Sequence, residues 1–98
     1  MRELWIGRVE VMTPPTAWGD CKAFTNVVTW ATGLEDFARY VGEVFEKYGW
    51  TLIGVEECVP ASRVPFPEGD LADALERAKL LPDACIYLTF HYYPSKSV

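Results

Sequence analysis

Residues 32–59 read TGLEDFARYVGEVFEKYGWTLIGVEECV and contain a helix pattern followed directly by a strand pattern. Thr32 and Glu35 have the spacing of a capping box, in which a hydroxyl and a carboxylate bind the free backbone N–H groups at a helix start. Apolar residues then recur every three or four positions up to Gly49, a residue suited to a left-handed helix end. From Trp50 the pattern changes to Thr-Leu-Ile-Gly-Val, which is typical of a strand. The stretch therefore predicts a fold of mixed α and β structure.

The rest of the chain predicts three more strands and one more helix. Alternation of apolar and polar residues favours strands over 4–12, 22–30 and 85–93, and 70–81 has the apolar stripe of a helix that stops at Pro82. The order is strand, strand, helix, strand, helix, strand in a single domain, residues 1–98. Right-handed strand–helix–strand connections then predict a four-stranded mixed sheet with both helices on one face.

This two-layer α/β sandwich resembles the ferredoxin-like class, as a variant with the order ββαβαβ. One strand is displaced, because that class has a hairpin between its two helices and only one strong strand is evident here. Residues 58–64 are the place where a short additional strand would lie. The resemblance concerns architecture and implies no function.

Composition and charge argue against several kinds of partner. The formal net charge is −5, whereas duplex nucleic acid and anionic membranes are bound by basic surfaces. The apolar run at 4–7 is too short for a signal peptide or a membrane span. Cys21, Cys58 and Cys85 lack the spacing of a disulfide framework or a CxxC motif and are interpreted as free thiols. We therefore expect a cytoplasmic protein without nucleic-acid or membrane partners.

Motifs for catalysis or metal binding are weak. His91 is the only histidine, the residue type that most readily exchanges protons near neutral pH. Cys58 is the one cysteine that could meet it across strands, because Cys85 lies about 20 Å away along the same strand. Adjacent strand residues Glu56 and Glu57 should point to opposite faces, which separates them as a catalytic pair. The sequence therefore assigns no catalytic residue, metal or cofactor, and His91 is interpreted as a half-exposed residue of a sheet face.

Two surfaces are candidate binding sites. Ligands of open α/β sheets bind at the carboxyl ends of parallel strands, where the first helix would also favour an anion. The residues expected to converge there are Trp30, Thr32, Arg63, His91 and Tyr93. The second surface is the sheet face that no predicted helix covers, unless the loop at 13–20 folds over it. Its apolar residues predict the interface of an isologous homodimer: Leu4, Ile6, Leu52 and Tyr87.

The sequence favours a small, non-catalytic, homo-oligomeric binding or protein-interaction module. One alternative is a small enzyme or anionic-ligand-binding protein, in which His91 exchanges protons and Arg63 holds the anion. A second alternative is an acidic antagonist that covers a basic partner protein. A concave pocket around His91 would favour the enzyme, and a clustered acidic surface would favour the antagonist.

Overall fold

The computed structural model describes residues 2–15, 19 and 21–93. Within these residues the chain follows the predicted order of elements, except that the last strand is divided into two. The elements are β1 (Glu3–Met12), β2 (Lys22–Ala31), α1 (Leu34–Lys47), β3 (Thr51–Pro60), a 3-10 turn (Ala61–Arg63), α2 (Gly69–Lys79), β4 (Cys85–Tyr87) and β5 (His91–Tyr93). No helix in this part of the chain is long and apolar enough to span a bilayer.

All five strands belong to one antiparallel sheet, with β1 and β2 at its centre. They form a hairpin that pairs without interruption from Glu3 opposite Ala31 to Met12 opposite Lys22. β3 adds to the free side of β1, and β4 and β5 both add to the free side of β2. β2 and β3 therefore run in the same direction, but β1 lies between them and α1 crosses over it.

The mixed α and β class is confirmed, whereas the predicted four-stranded mixed sheet is wrong. No described strand has a parallel neighbour, and the strand order is not that of the ferredoxin-like class. The central hairpin explains the difference, because it leaves one free edge for β3 and the opposite edge for the last strand. The chain between β3 and β4 must then cross from one edge of the sheet to the other.

The two helices pack on opposite faces of the sheet, so the prediction that they share one face is wrong. α1 covers the side that bears the odd-numbered residues of the hairpin, where Phe37, Val41 and Phe45 pack with Val9, Val11, Ala23, Val27 and Ala31. α2 covers part of the other side, where Ala74, Leu75 and Ala78 pack with Leu4, Ile6 and Val28. Both sides of the hairpin therefore carry apolar residues, and each side needs a helix to remove its apolar residues from water. We call these sides the α1 face and the α2 face.

Both edges of the sheet are irregular. The register of β3 against β1 shifts twice, which leaves Glu56 and Ile53 as extra residues on β3. At the other edge, β4 and β5 pair with β2 in registers that differ by one residue. Such bulges redirect side chains and interrupt regular pairing.

Residues 88–90 interrupt the last strand, which the sequence predicts as one continuous alternation over 85–93. Tyr87, Phe90 and Tyr92 lie on the α1 face, whereas Ile86 and His91 lie on the other. A strict period of two would have placed Tyr87 and His91 on the same side. Their separation follows from the register difference between β4 and β5.

Gly7 supplies the space in which Phe37 lies on the central strand. A Cβ atom at position 7 would stand 2.6 Å from Phe37 Cε1 and closer still to Cζ. We expect Gly7→Ala to lower the free energy of unfolding by about 1–3 kcal/mol, the usual cost of overpacking a core. Urea denaturation measures this change. Gly54→Ala on β3 is the control, because no atom lies within 4 Å of the added Cβ, and equal losses in both variants would contradict the prediction.

Candidate functional site

The amino end of α1, predicted to attract an anion, is occupied by the chain's own carboxylate. The backbone N–H of Thr32 donates to Asp36 Oδ2 at 2.9 Å, and Arg39 donates to Asp36 Oδ1 at 2.6 Å. The predicted capping box of Thr32 with Glu35 does not form, since Gly33 is the N-cap residue and has no side chain to offer. Asp36 is one position further along and reaches back to the same backbone group.

These contacts also set the charge at this helix end. The hydrogen bond from the Thr32 backbone, followed by that from Arg39, lowers the pKa of Asp36 below its ordinary value. Arg39 is shared with Glu43, whose Oε1 accepts a hydrogen bond at 3.0 Å. With Glu35 beside it, this end of the helix presents paired charges and carboxylates, which do not favour an anionic ligand.

Trp30 holds the end of α2 against the sheet. Its indole Nε1 lies 3.0 Å from the carbonyl oxygens of Ala78 and of Leu81. Carbonyl groups at a helix end lack partners within the helix, and the indole supplies a donor to them. The position of Trp30 is thus explained by packing and hydrogen bonding, without a ligand.

The five predicted ligand-binding residues fall into two groups at opposite ends of the sheet. Trp30 and Thr32 line one depression at the amino end of α1, and the neighbours of Arg63 in the 3-10 turn line another depression with Trp30. His91 lies opposite Phe24, six residues from Trp30 along β2, a separation of about 20 Å. Tyr93 lies beyond it, opposite Lys22. The predicted pair of His91 with Arg63 is therefore not brought together.

The four predicted interface residues do not share one uncovered face. Leu4 and Ile6 are buried beneath α2 with 8% exposure each. Leu52 packs on the α1 face, and Tyr87 also faces that side. The proposed cover by the loop at 13–20 concerns residues 16–18 and 20, which lie outside the described residues.

The part of the α2 face that α2 leaves uncovered forms a surface that we call the sheet patch. It arises because the residues of β1 on this face change from Leu4 and Ile6 to Arg8 and Glu10. Its members are Arg8, Glu10, Phe24, Asn26, Glu56, Glu57, His91 and Tyr93.

Two aromatic rings, those of Phe24 and Tyr93, lie at the centre of the sheet patch. The Arg8 guanidinium carbon lies 4.7 Å from the centre of the Phe24 ring, and the Tyr93 ring lies 5.3 Å from it. The Tyr93 hydroxyl donates to Glu10 Oε2, and this hydrogen bond is the main cause that raises the pKa of Tyr93 to about 12. Arg8 thus lies over the Phe24 ring, a favourable position for a cation.

The bulge in β3 places Glu56 and Glu57 on the same side, contrary to the prediction that they point to opposite faces. Val55 and Cys58 both pack against the core of the α1 face, so the two residues between them turn towards the other face. Glu56 Oε2 lies 3.6 Å from Arg8 Nε, and Glu57 lines a depression with Arg8 and His91.

A catalytic pair of Cys58 with His91 is excluded by the sheet itself. Cys58 lies on the α1 face and His91 on the other. Burial also raises the pKa of the Cys58 and Cys85 thiols to about 11, which leaves both protonated and poorly nucleophilic at neutral pH. Among the described residues, no group of three or more histidine, cysteine or acidic side chains could hold a metal ion.

The α1 face carries a second surface, which we call the aromatic patch. Its rings are in mutual contact, with centre-to-centre distances from 4.8 to 6.5 Å. Phe45 is buried at its base, whereas Tyr48, Tyr87 and Tyr92 are 54%, 38% and 37% exposed. Its members are Phe45, Tyr48, Trp50, Tyr87, Phe90 and Tyr92. The signal in the sequence was the run from Tyr48 to Trp50 at the end of α1, which the helix pattern alone did not connect with the last strand.

No protein-family model, curated protein or solved structure matches this chain. The two surfaces and the residues that build them are therefore the features of this chain that indicate a function.

The contacts of Asp36 predict a pH dependence of stability. The pKa of Asp36 is lowered in the folded protein. The ionised carboxylate therefore stabilises the fold fully at pH values above the ordinary pKa of an aspartate, about 3.9. This contribution is lost as the pH falls through the lowered pKa. The difference in melting temperature between wild type and Asp36→Asn should thus be constant near neutrality and close in acid. Asp73→Asn on α2 is the control and should change the melting temperature little at neutral pH. A difference that widens in acid would refute the argument.

His91 and its neighbour Phe90 face opposite sides of the sheet, so their replacement should have unequal effects. His91 is exposed, and no described residue forms a hydrogen bond or an ion pair with its ring. We expect His91→Ala to change the free energy of unfolding by about 0.5–1 kcal/mol or less. Phe90→Ala, which removes a ring from the aromatic patch, should cost about 2 kcal/mol or more. Chemical denaturation of both variants measures the contrast, and a large loss for His91→Ala would show a structural role for the ring.

Proposed function

We propose that the chain is a non-catalytic, cytoplasmic protein-interaction module that forms a homodimer through the aromatic patch. The observation that supports this is the exposure of three tyrosine rings on one packed group of six aromatic side chains. Tyrosine and tryptophan are enriched among the residues that dominate binding energy at protein interfaces. The three free thiols agree with a reducing compartment.

The aromatic patch is suited to contact because its rings are already ordered. Tyr48 stacks on Trp50 at 4.8 Å, and Tyr87 meets both edge to face. A side chain held in this way loses little conformational entropy when a partner covers it, which lowers the cost of association. Exposed rings also retain edges and faces for further edge-to-face contacts.

The edges of the sheet are less suited than the aromatic patch to contact with a second copy. Pairing of edge strands needs a regular row of free backbone groups, and β3 has extra residues at Ile53 and Glu56 that interrupt the row. The other edge is divided between two strands of three residues each. A face-to-face isologous contact requires neither edge.

The alternatives are less well supported. The enzyme or anion-binding alternative requires His91 and Arg63 in one site, and they lie at opposite ends of the sheet. The antagonist alternative has a partial basis in Glu10, Glu56 and Glu57 on the sheet patch, but Arg8 lies over the same surface and pairs with Glu56. The positive charge of Arg8 would therefore repel a basic partner.

Sedimentation velocity tests the homodimer with one pair of matched variants. Tyr48 and Leu34 lie near opposite ends of α1 and are 54% and 53% exposed, but only Tyr48 belongs to the aromatic patch. We expect wild type and Leu34→Ser to sediment as dimers at high micromolar concentration, and Tyr48→Ser to shift towards the monomer. A wild-type monomer at that concentration, or equal effects of the two substitutions, would contradict the proposal.

Salt separates the homodimer from an acidic antagonist. Each copy carries a formal net charge of −5, so two copies repel at low ionic strength and screening should strengthen their association. Binding to a basic partner should instead weaken as salt is added. Sedimentation at low and high salt therefore gives opposite trends for the two functions.

A further inference from the structure

The sheet patch contains a depression that carries charges of both signs. It has a volume of about 370 Å³ and is lined by Arg8, Phe24, Thr25, Asn26, Glu57 and His91. This volume lies in the range of small-ligand sites. It is also on the opposite face from the aromatic patch, so it is independent of the proposed dimer.

The cation of the depression is the Arg8 guanidinium, whose hydrogen-bond donors are not all occupied by described residues. Arg8 rests on the Phe24 ring, and its ion pair with Glu56 at 3.6 Å is longer than a hydrogen bond. Arg8 donates no hydrogen bond to any described residue, and its side chain is half exposed. A guanidinium presents a planar fork of donors that matches a carboxylate.

The anion of the depression lies directly across the strands from this cation. Glu57 is the residue opposite Arg8 in the pairing of β3 with β1, and cross-strand neighbours have Cβ atoms about 5 Å apart. Its carboxylate is exposed and forms no ion pair with a described residue, since Glu56 takes that place beside Arg8. The amide of exposed Asn26, which also lines the depression, can donate or accept.

We propose that this depression binds a small zwitterion of the α-amino-acid type, with its carboxylate on Arg8 and its ammonium group on Glu57. A purely anionic ligand would be attracted by Arg8 and repelled by Glu56 and Glu57. A purely cationic ligand would meet Arg8 itself. A molecule that carries both charges satisfies the free donor and the free acceptor at once, and an apolar side chain can contact the part of Phe24 that lines the depression.

Three related probes test this assignment by titration of backbone amide resonances. L-phenylalanine carries both charges, N-acetyl-L-phenylalanine lacks the ammonium group, and L-phenylalaninamide lacks the carboxylate. Because the charges are exposed to water, we expect a dissociation constant in the millimolar range for L-phenylalanine. The other two probes should bind at least about tenfold more weakly, and the shifts should centre on residues 8, 26, 57 and 91.

Variants assign each charge of the ligand to its partner. Arg8→Gln should bind L-phenylalanine no better than L-phenylalaninamide, because the carboxylate has lost its cation. Glu57→Gln should bind L-phenylalanine no better than N-acetyl-L-phenylalanine. Arg77→Gln on α2 and Glu46→Gln on α1, both exposed and outside the depression, should retain the wild-type preference.

The proposal is overturned by any of three results. These are equal affinity of wild type for all three probes, shifts centred elsewhere, or no shift at about 10 mM L-phenylalanine, which is well above a millimolar dissociation constant. Spectra of each variant without a probe show whether its fold is retained. Since the dimer is tested by sedimentation and by residues of the other face, either proposal can fail while the other stands.

Discussion

The change of residue type along one face of β1 is the constraint on which the rest of the structure depends. β1 is a central strand, and its side towards α1 is apolar from Trp5 to Val11, with Val9 and Val11 fully buried. Its other side is apolar at Leu4 and Ile6 and charged from Arg8 onward. One helix therefore packs along the apolar face, while the second covers only the apolar part of the other face. The burial of Leu4 and Ile6 fixes the position of α2 on the sheet. The charged residues beyond them determine which part of this face α2 leaves uncovered.

The two surfaces that result differ in their chemistry because they lie on opposite faces of one sheet. The aromatic patch extends the core of the α1 face past the end of α1, so its exposed tyrosines are the outer part of a packed group. The sheet patch has aromatic rings too, but Phe24 and Tyr93 there support polar groups, Arg8 and Glu10. An apolar contact with a macromolecule suits the first, and a small charged molecule suits the second.

The sequence predicts the elements well and their arrangement poorly, for physical reasons. The strands and α1 follow from local periodicity, which is a property of neighbouring residues. Which edge receives each later strand depends on the central hairpin, a long-range pairing that no local pattern records. The sequence does not indicate the bulge at Glu56, because either of two adjacent acidic residues could lie on either face. It does not indicate the register difference before His91, because aromatic residues occupy both faces of the last strand. The sequence pattern predicts parallel strands, which would bring Trp30 and His91 together. In the antiparallel sheet Trp30 lies near the end of β2, and His91 pairs with Phe24 near its start.

The uninterrupted pairing of β1 with β2 also leads us to expect a particular order of folding events. Their connection spans only 13–21, so the hairpin closes a short loop at a small entropic cost. β3 joins β1 only after α1 has crossed the sheet, and the brief strands β4 and β5 have little pairing of their own until β2 is in place. Contacts between distant parts of the chain are slow to form unless a local nucleus precedes them. We expect the central hairpin to be that nucleus, and the irregular edges to assemble last and open first.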